Sequence, residues 1–327
     1  MLNEFRKDVV SGEWVLFATG RARQLPTPEE DKEYASKEKC PFEDLSKTGN
    51  VPVWFFPDQN DWQIAVYKNK FPAVAQDIIK QIRNQGPFEI HEAVGTHDLF
   101  IYKNHDKYLS EFSVSEMVDT IRAYKRRYKE IRDTEKEVRY ILIFHNSGKG
   151  AGASVYHPHS QIISTPILPP DIARSINGSH KFFEENKQNA YDMILKWELE
   201  MGSRIVYQNE RFVALCPFVS KYPYEVRIFM KNGQPHFEEL PDDFDDDLSE
   251  VLLSVLRRIK KSLNSPDFNM LIHTAPIEPT HAHDYYSWHI EILPKTKIIG
   301  AFEIGTGVVI NVVDPDEAAK LFRDTNP

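Results

Sequence analysis

His157-Pro158-His159-Ser160-Gln161-Ile162-Ile163 and Ser287-Trp288-His289-Ile290-Glu291-Ile292-Leu293 decide the reading of this chain, because each closes the same succession of elements. Ahead of the first lies strand-like alternation at Trp62-Gln63-Ile64-Ala65-Val66-Tyr67, then a loop, then Asp98-Leu99-Phe100-Ile101-Tyr102. A helix is expected next, capped by Ser113 with Glu116 three residues on, and carrying Met117, Ile121 and Tyr124 at helical spacing. The apolar strand Tyr140-Ile141-Leu142-Ile143-Phe144 and a loop rich in Gly and Ala then lead to the histidines. The second succession keeps that order. Phe212-Val213-Ala214-Leu215 and Glu225-Val226-Arg227-Ile228-Phe229 read as paired strands. Leu248 to Leu263 is an amphipathic helix with Val251, Leu252, Val255 and Ile259 on one face. Asn269-Met270-Leu271-Ile272 is a strand, and a loop leads to Ser287.

Strand, strand, helix, strand, loop, strand is therefore read twice, which favours a duplication. Consecutive strands joined by short turns favour antiparallel pairing, so the expected class is α+β with mainly antiparallel sheets. The two units are placed at 1–175 and 190–327, joined after Pro169-Pro170 through a helical stretch containing Lys181 to Met201. A length of 327 residues exceeds a usual single domain and agrees with two units. With 41% hydrophobic and 12% aromatic residues, the chain has enough apolar surface to bury and is not disordered.

The formal net charge of -9 argues against a nucleic-acid backbone as partner, which would want a basic face. A small phosphorylated ligand needs only a few local cations. The acidic run from Asp242 to Asp247 is expected to be a solvated loop or a helix start. Two cysteines, Cys40 and Cys216, make no disulfide framework, and Cys216 is expected in the core. Met1 to Val10 has no apolar signal-peptide core, and no apolar run approaches the ~20 residues that span a bilayer. These features predict a soluble cytoplasmic protein.

On a strand, His157, His159 and Gln161 point to one face. Pro158 cannot donate to a ladder, which suggests a sheet edge or a strand start. Just upstream, residues 146–154 (Asn-Ser-Gly-Lys-Gly-Ala-Gly-Ala-Ser) hold three glycines and no bulky side chain, so backbone N–H groups can approach phosphate oxygens. An imidazole can attack a phosphoryl centre beside such a loop, and the loop can stabilise the charge that develops. A Walker-type loop is excluded, since Gly148-Lys149-Gly150 lacks the Gly-Lys-Ser/Thr ending.

The segment resembles the active-site region of the galactose-1-phosphate uridylyltransferases, the transferase branch of the histidine-triad superfamily. The resemblance extends over Arg6 to Arg23, Cys40-Pro41-Phe42, Asn69-Lys70-Phe71-Pro72, Phe144 to Gln161 and Trp288 to Arg323. It implies two tandem histidine-triad-like units. It also implies that His159 is the nucleophile that becomes nucleotidylated, that Gln161 hydrogen-bonds the transferring phosphoryl, and that Ser154 binds the distal phosphate. Arg21, Asn69, Phe144, Asn146 and Gly152 correspond to nucleotide contacts, and Lys297 and Glu303 to the side that reads a sugar and its phosphate. Hydrolases of the superfamily carry a third histidine where Gln161 stands. A glutamine is neither acid nor base, so the covalent intermediate should survive until an acceptor arrives.

The resemblance further implies a zinc site at Cys40, Glu43, His105 and His157, with Glu43 in place of a second thiolate. His273, His289 and Glu291 form a further histidine–carboxylate group, read as structure or substrate contact, and His281 and His283 are expected to be exposed. A homodimer is implied as well. Lys70, the apolar residues around Val309 and Gly305-Thr306-Gly307 depart from the family pattern, which leaves base and sugar open. Three readings follow. One is a nucleotidyltransferase of galactose metabolism moving UMP between a nucleotide sugar and a sugar 1-phosphate. Another is a phosphorylase of a nucleotide sugar or dinucleoside polyphosphate that uses inorganic phosphate. The last is a non-catalytic nucleotide-binding protein.

Overall fold

A computed structural model describes residues 3–21, 36–45, 52–76, 82–277 and 283–327. Strands β1 (Glu4–Lys7), β2 (Trp14–Phe17), β3 (Pro52–Phe56), β4 (Ile64–Lys68), β5 (Ile82–Gln85), β6 (Phe88–His91) and β7 (His97–Tyr102) precede helix α1 (Val114–Thr134). Then come β8 (Tyr140–Ser147), β9 (His159–Thr165), α2 (Pro170–Asn186) and α3 (Ala190–Met201). The second half holds β10 (Ile205–Gln208), β11 (Phe212–Leu215), β12 (Val226–Met230), α4 (Asp245–Ser262), β13 (Phe268–His273) and β14 (His289–Pro294). It closes with α5 (Ala301–Thr306), β15 (Val309–Asn311) and α6 (Pro315–Asp324).

The main sheet has ten strands in the order β10-β11-β12-β14-β13-β8-β9-β7-β4-β3, and every pairing in it is antiparallel. Read outward from the β8–β13 seam, the two halves repeat one another: β8, β9, β7, β4, β3 on one side and β13, β14, β12, β11, β10 on the other. The expected repeat and α+β class are what the chain builds. Sequence reading did not supply the outermost strands β3 and β10, nor the seam, where Phe268 to Ile272 pair with Ser147 to Ile143. Both short outer strands are punctuated by register shifts, which weaken a period-2 pattern.

Helix α1 begins where the capping box predicts, with Ser113 Oγ accepting from Glu116 N–H and the Glu116 carboxylate accepting from Ser113 N–H. It packs against α4, and together they cover one face of the sheet. Ile64, Phe100, Ile143 and Ile162 from the first half and Ala214, Ile228, Met270 and Ile290 from the second line that shared core. The acidic run does open α4, but Asp245 is fully buried, held by Lys125 Nζ at 2.7 Å and Arg122 Nε at 3.1 Å. A charge survives burial there because two cations and their hydrogen bonds meet it. Cys216 is in the core.

The opposite face carries the polar constellations. In the β8–β9–β7 register Phe144 and Leu99 lie opposite Gln161, and Ile101 lies opposite His159. Across the seam the same face runs through Asn146, Asn269, Leu271, Glu291 and Arg227. Helices α2 and α3 pack over the second half of this face, against Val213, Leu215 and Phe229. Gly178 of α2 sits so close to the N-terminal segment that a Cβ there would lie 1.7 Å from the Val10 carbonyl.

Candidate active site

Pro158 ends the approach to β9, and β9 runs between β8 and β7 as an interior strand. Of the two positions open to that proline, the strand start is the one occupied. His159 and Gln161 therefore share a strand face, whereas His157 lies before the strand and turns elsewhere. His159 is buried, with its ring edge against Phe42 at 5.3 Å between centroids. Its Nδ1 lies 2.9 Å from the His157 carbonyl oxygen. A carbonyl only accepts, so Nδ1 carries the proton and the lone pair resides on Nε2. Burial holds this imidazole below its ordinary range, partly countered by the bond to the carbonyl. The result is an unprotonated nitrogen with a fixed tautomer, the state a nucleophile requires.

The glycine-rich loop is a short 3-10 turn, Lys149–Ala151, between Gly148 at φ 84° and Gly152 at φ 88°. Both glycines occupy backbone space that L side chains avoid. A Cβ on Gly148 would also meet Asp267 Oδ1 at 1.8 Å, and Gly150 N–H donates to Asp267 Oδ2 at 2.6 Å. Asn269 Nδ2 donates to the Ala151 carbonyl and to Asn146 Oδ1, each at 2.8 Å. The second half thus clasps the loop of the first. Ser154 is exposed in the loop leading toward His157.

Gln161 Oε1 lies 2.9 Å from His97 Nε2, and Asn69 Nδ2 is 3.1 Å from that same nitrogen. Sequence reading placed Asn69, Asn146, Phe144 and Gln161 but passed over His97 and Asn269. The signal was the period-2 parity of β7, in which His97, Leu99 and Ile101 face the side of His159, and a strand begun at Asp98 hid it. Arg21 ends a short 3-10 helix, and its side chain lies outside the described residues.

Lys297 and Glu303 are brought together with one another, Nζ to Oε1 at 2.7 Å, and Lys297 also donates to the Ile310 carbonyl. The segment is the short helix α5, in which Glu303 accepts from Gly300 N–H as a capping residue.

Cys40 Sγ and one ring nitrogen each of His105 and His157 lie within 4.8 Å of one another. His157 Nε2 donates to the Tyr102 carbonyl at 2.6 Å, which leaves its Nδ1 lone pair facing His105 Nδ1 at 3.2 Å. Glu43 Oε1 is 3.0 Å from His105 Nδ1 and 3.5 Å from His157 Nδ1. Burial pushes the Cys40 thiol up, and the Phe42 N–H that points at its Sγ at 3.4 Å offsets only part of this. A tetrahedral zinc with Zn–N of about 2.0–2.1 Å separates two nitrogens by about 3.3 Å, so the donor set fits such an ion.

The second half repeats the histidine geometry. His289 Nδ1 lies 3.1 Å from the Ser287 carbonyl, the counterpart of His159 and His157. Here Glu291 replaces the glutamine and is already engaged by Arg227 Nε at 2.9 Å and His273 Nε2 at 3.1 Å. Burial pushes His289 down to about 4. His281 lies outside the described residues. His283, expected to be exposed, is buried and stands edge-on to His236 and Tyr285. The segment is polar in composition, but these aromatic neighbours pack against His283.

Comparison with known proteins finds relatives along the length of the chain. Residues 2–169 match the galactose-1-phosphate uridyl transferase N-terminal domain, and residues 176–313 match the C-terminal domain of the same family. An ADP-glucose phosphorylase from Arabidopsis thaliana is 32% identical over 333 residues, covering 99% of this chain and 93% of that protein. A galactose-1-phosphate uridylyltransferase from Thermotoga maritima is 28% identical over 331 residues, covering 98% of each. The crystal structure of an ADP-glucose phosphorylase from Arabidopsis thaliana with bound ADP-glucose superimposes with a TM-score of 0.85 at 30% identity, covering 100% of both chains.

Proposed function

Because this chain belongs to the galactose-1-phosphate uridyl transferase family and is a nucleotidyltransferase of that kind, we propose that His159 carries the nucleotidyl group between a nucleotide sugar and a phosphate-bearing acceptor. The observation that carries the reading is the hydrogen bond from His159 Nδ1 to the His157 carbonyl, which leaves Nε2 as an unprotonated nucleophile beside Gln161. Nε2 attacks the α-phosphorus of the nucleotide sugar. A P–N bond forms, the P–O bond to the sugar phosphate breaks, and the sugar 1-phosphate departs with the electron pair. A phosphate monoester has a second pKa of about 6, so this leaving group needs no proton from the protein. An acceptor phosphate oxygen then attacks the same phosphorus, and Nε2 departs with its pair.

Gln161 and Asn146 offer amide N–H groups to the phosphoryl oxygens, and Ser154 and Gly152 belong to the phosphate side. Asn69, Phe144 and Arg21 serve the nucleotide. Lys297 and Glu303 are assigned to the sugar side, where each must exchange its bond to the other for one to ligand. Cys40, Glu43, His105 and His157 are the residues that would hold zinc. Bound there, zinc would cross-link the Cys40 turn, the end of β7 and the approach to His159. The units 1–175 and 190–327 divide these tasks between nucleophile and sugar side.

The acceptor of the first reading is a hexose 1-phosphate. A second reading, ADP-glucose as donor with inorganic phosphate as acceptor, is favoured by the 32% identity to the Arabidopsis phosphorylase. Charging the protein with UDP-glucose or ADP-glucose, removing free nucleotide, and adding galactose 1-phosphate or orthophosphate separates them by which acceptor discharges the adduct. A homodimer is part of the proposal, supported by apolar residues that α5 and its approach leave exposed: Ile298 at 90%, Ile304 at 78% and Phe302 at 46%. Cytoplasmic location is also part of it. Two free cysteines fit a reducing compartment, and among the described residues no helix is long and apolar enough to cross a membrane.

A further inference from the structure

We infer that His97 and Asn269 are positioning residues which fix the direction of the Gln161 and Asn146 amides, so that both present NH2 to the transferring phosphoryl group; this rests on the nucleotidyl-transfer reading above. Amide oxygen and nitrogen have nearly the same shape, and a glutamine free to turn offers either. An amide oxygen aimed at a phosphoryl oxygen repels it, whereas an NH2 stabilises it. What decides the direction is a chain of bonds that starts, in each case, from a backbone group with only one role.

Ala73 N–H donates to His97 Nδ1 at 3.0 Å. His97 Nδ1 is therefore an acceptor, and a neutral ring carries its proton on Nε2. That proton meets Gln161 Oε1 at 2.9 Å, so the Gln161 oxygen is occupied and its NH2 is left for a ligand. The Ala151 carbonyl can only accept, which identifies the end of Asn269 that meets it at 2.8 Å as the NH2. The second hydrogen of that NH2 goes to Asn146 Oδ1 at 2.8 Å, so Asn146 also presents its NH2. A third amide follows suit. Phe71 N–H donates to Asn69 Oδ1 at 2.9 Å, and the Asn69 NH2 faces His97 Nε2, itself a donor, so it needs another acceptor. Two neutral donors, the NH2 groups of Gln161 and Asn146, thus await an oxyanion, and neither can pass a proton to water. Donors fixed before reaction cost no reorganisation when charge develops.

Double-mutant cycles test this, with single-turnover nucleotidylation by UDP-glucose and by ADP-glucose followed by intact mass. His97→Phe is combined with Gln161→Ala, and Asn269→Leu with Asn146→Ala. Each positioning substitution alone should slow adduct formation about ten- to a hundredfold, and should cost less than about twofold once its partner amide is gone. His97→Gln, which still has an N–H to offer Gln161, should recover the rate to within about fivefold of the parent. Asn269→Asp sets an acceptor against the Ala151 carbonyl and Asn146 Oδ1, and should lose at least as much as Asn269→Leu. These two conservative variants keep the test open should the apolar ones fail to fold. Equal losses in both backgrounds would mean a merely structural role and would overturn the positioning alone. An unsubstituted protein that forms no adduct overturns the nucleotidyl-transfer reading and the positioning with it.

Discussion

His145 of β8 lies on the face opposite His159, with Nδ1 3.0 Å from Ser160 Oγ in a buried cluster that includes the Tyr102 and Tyr124 hydroxyls. Burial pushes its imidazole down to about 3. An unfolded chain titrates this group near its ordinary value of about 6.5, so below that pH the unfolded state binds a proton that the folded state refuses. The stabilisation is complete above about 6.5 and is lost as pH falls toward 3, amounting to about 2 kcal/mol by pH 5. Urea unfolding of the parent and of His145→Phe at pH 7.5 and pH 5 checks it. The parent should lose about 2 kcal/mol more than the variant between the two, and parallel losses contradict the assignment. At this scale the sequence showed what parity could show: His159 and Gln161 on one face, Asn146 at the loop. Parity can give the face of His97 and Asn269 but not their partners, because neighbours across a sheet are not written in local spacing.

At the scale of elements, the proposed zinc ties three of them: the turn ending at Cys40, the residues after β7 that carry His105, and the approach to β9 that carries His157. Cys40 Sγ, His105 Nδ1 and His157 Nδ1 converge there, with Glu43 Oε1 3.0 Å from His105 Nδ1, a donor set of the kind zinc takes. Metal analysis of protein purified without chelators should find about one zinc per chain, and less than ~0.2 contradicts the site. His105→Ala should lose the metal and lower the melting temperature, since structural zinc contributes folding free energy. Helices α1 and α4 and their partner strands were legible because a 3.6-residue period and capping residues are local. Helix α5 was not. Its six residues are too few to set a period, and the helix is closed by the bond of Glu303 to Gly300 N–H and by the left-handed Gly307.

At the scale of the whole molecule, the ten-stranded main sheet is made from two repeated halves, and their seam is what local spacing in the sequence does not show. Two units were expected, and their edges β8 and β13 pair to make the core continuous through α1 and α4. Unfolding should therefore be a single transition, with near-UV and far-UV signals coincident in urea, whereas two separated transitions would contradict a shared core. The same seam brings Asp267 and Asn269 of the second half to the glycine-rich loop of the first, so the proposed chemistry draws on both halves. His159 is the proposed carrier of the nucleotidyl group. Intact and peptide mass of the protein after incubation with UDP-glucose or ADP-glucose measures that directly. One nucleoside monophosphate per chain is predicted, mapped to the peptide bearing His159 and missing from His159→Ala, whereas an adduct that persists in His159→Ala, or none with either sugar nucleotide, contradicts it.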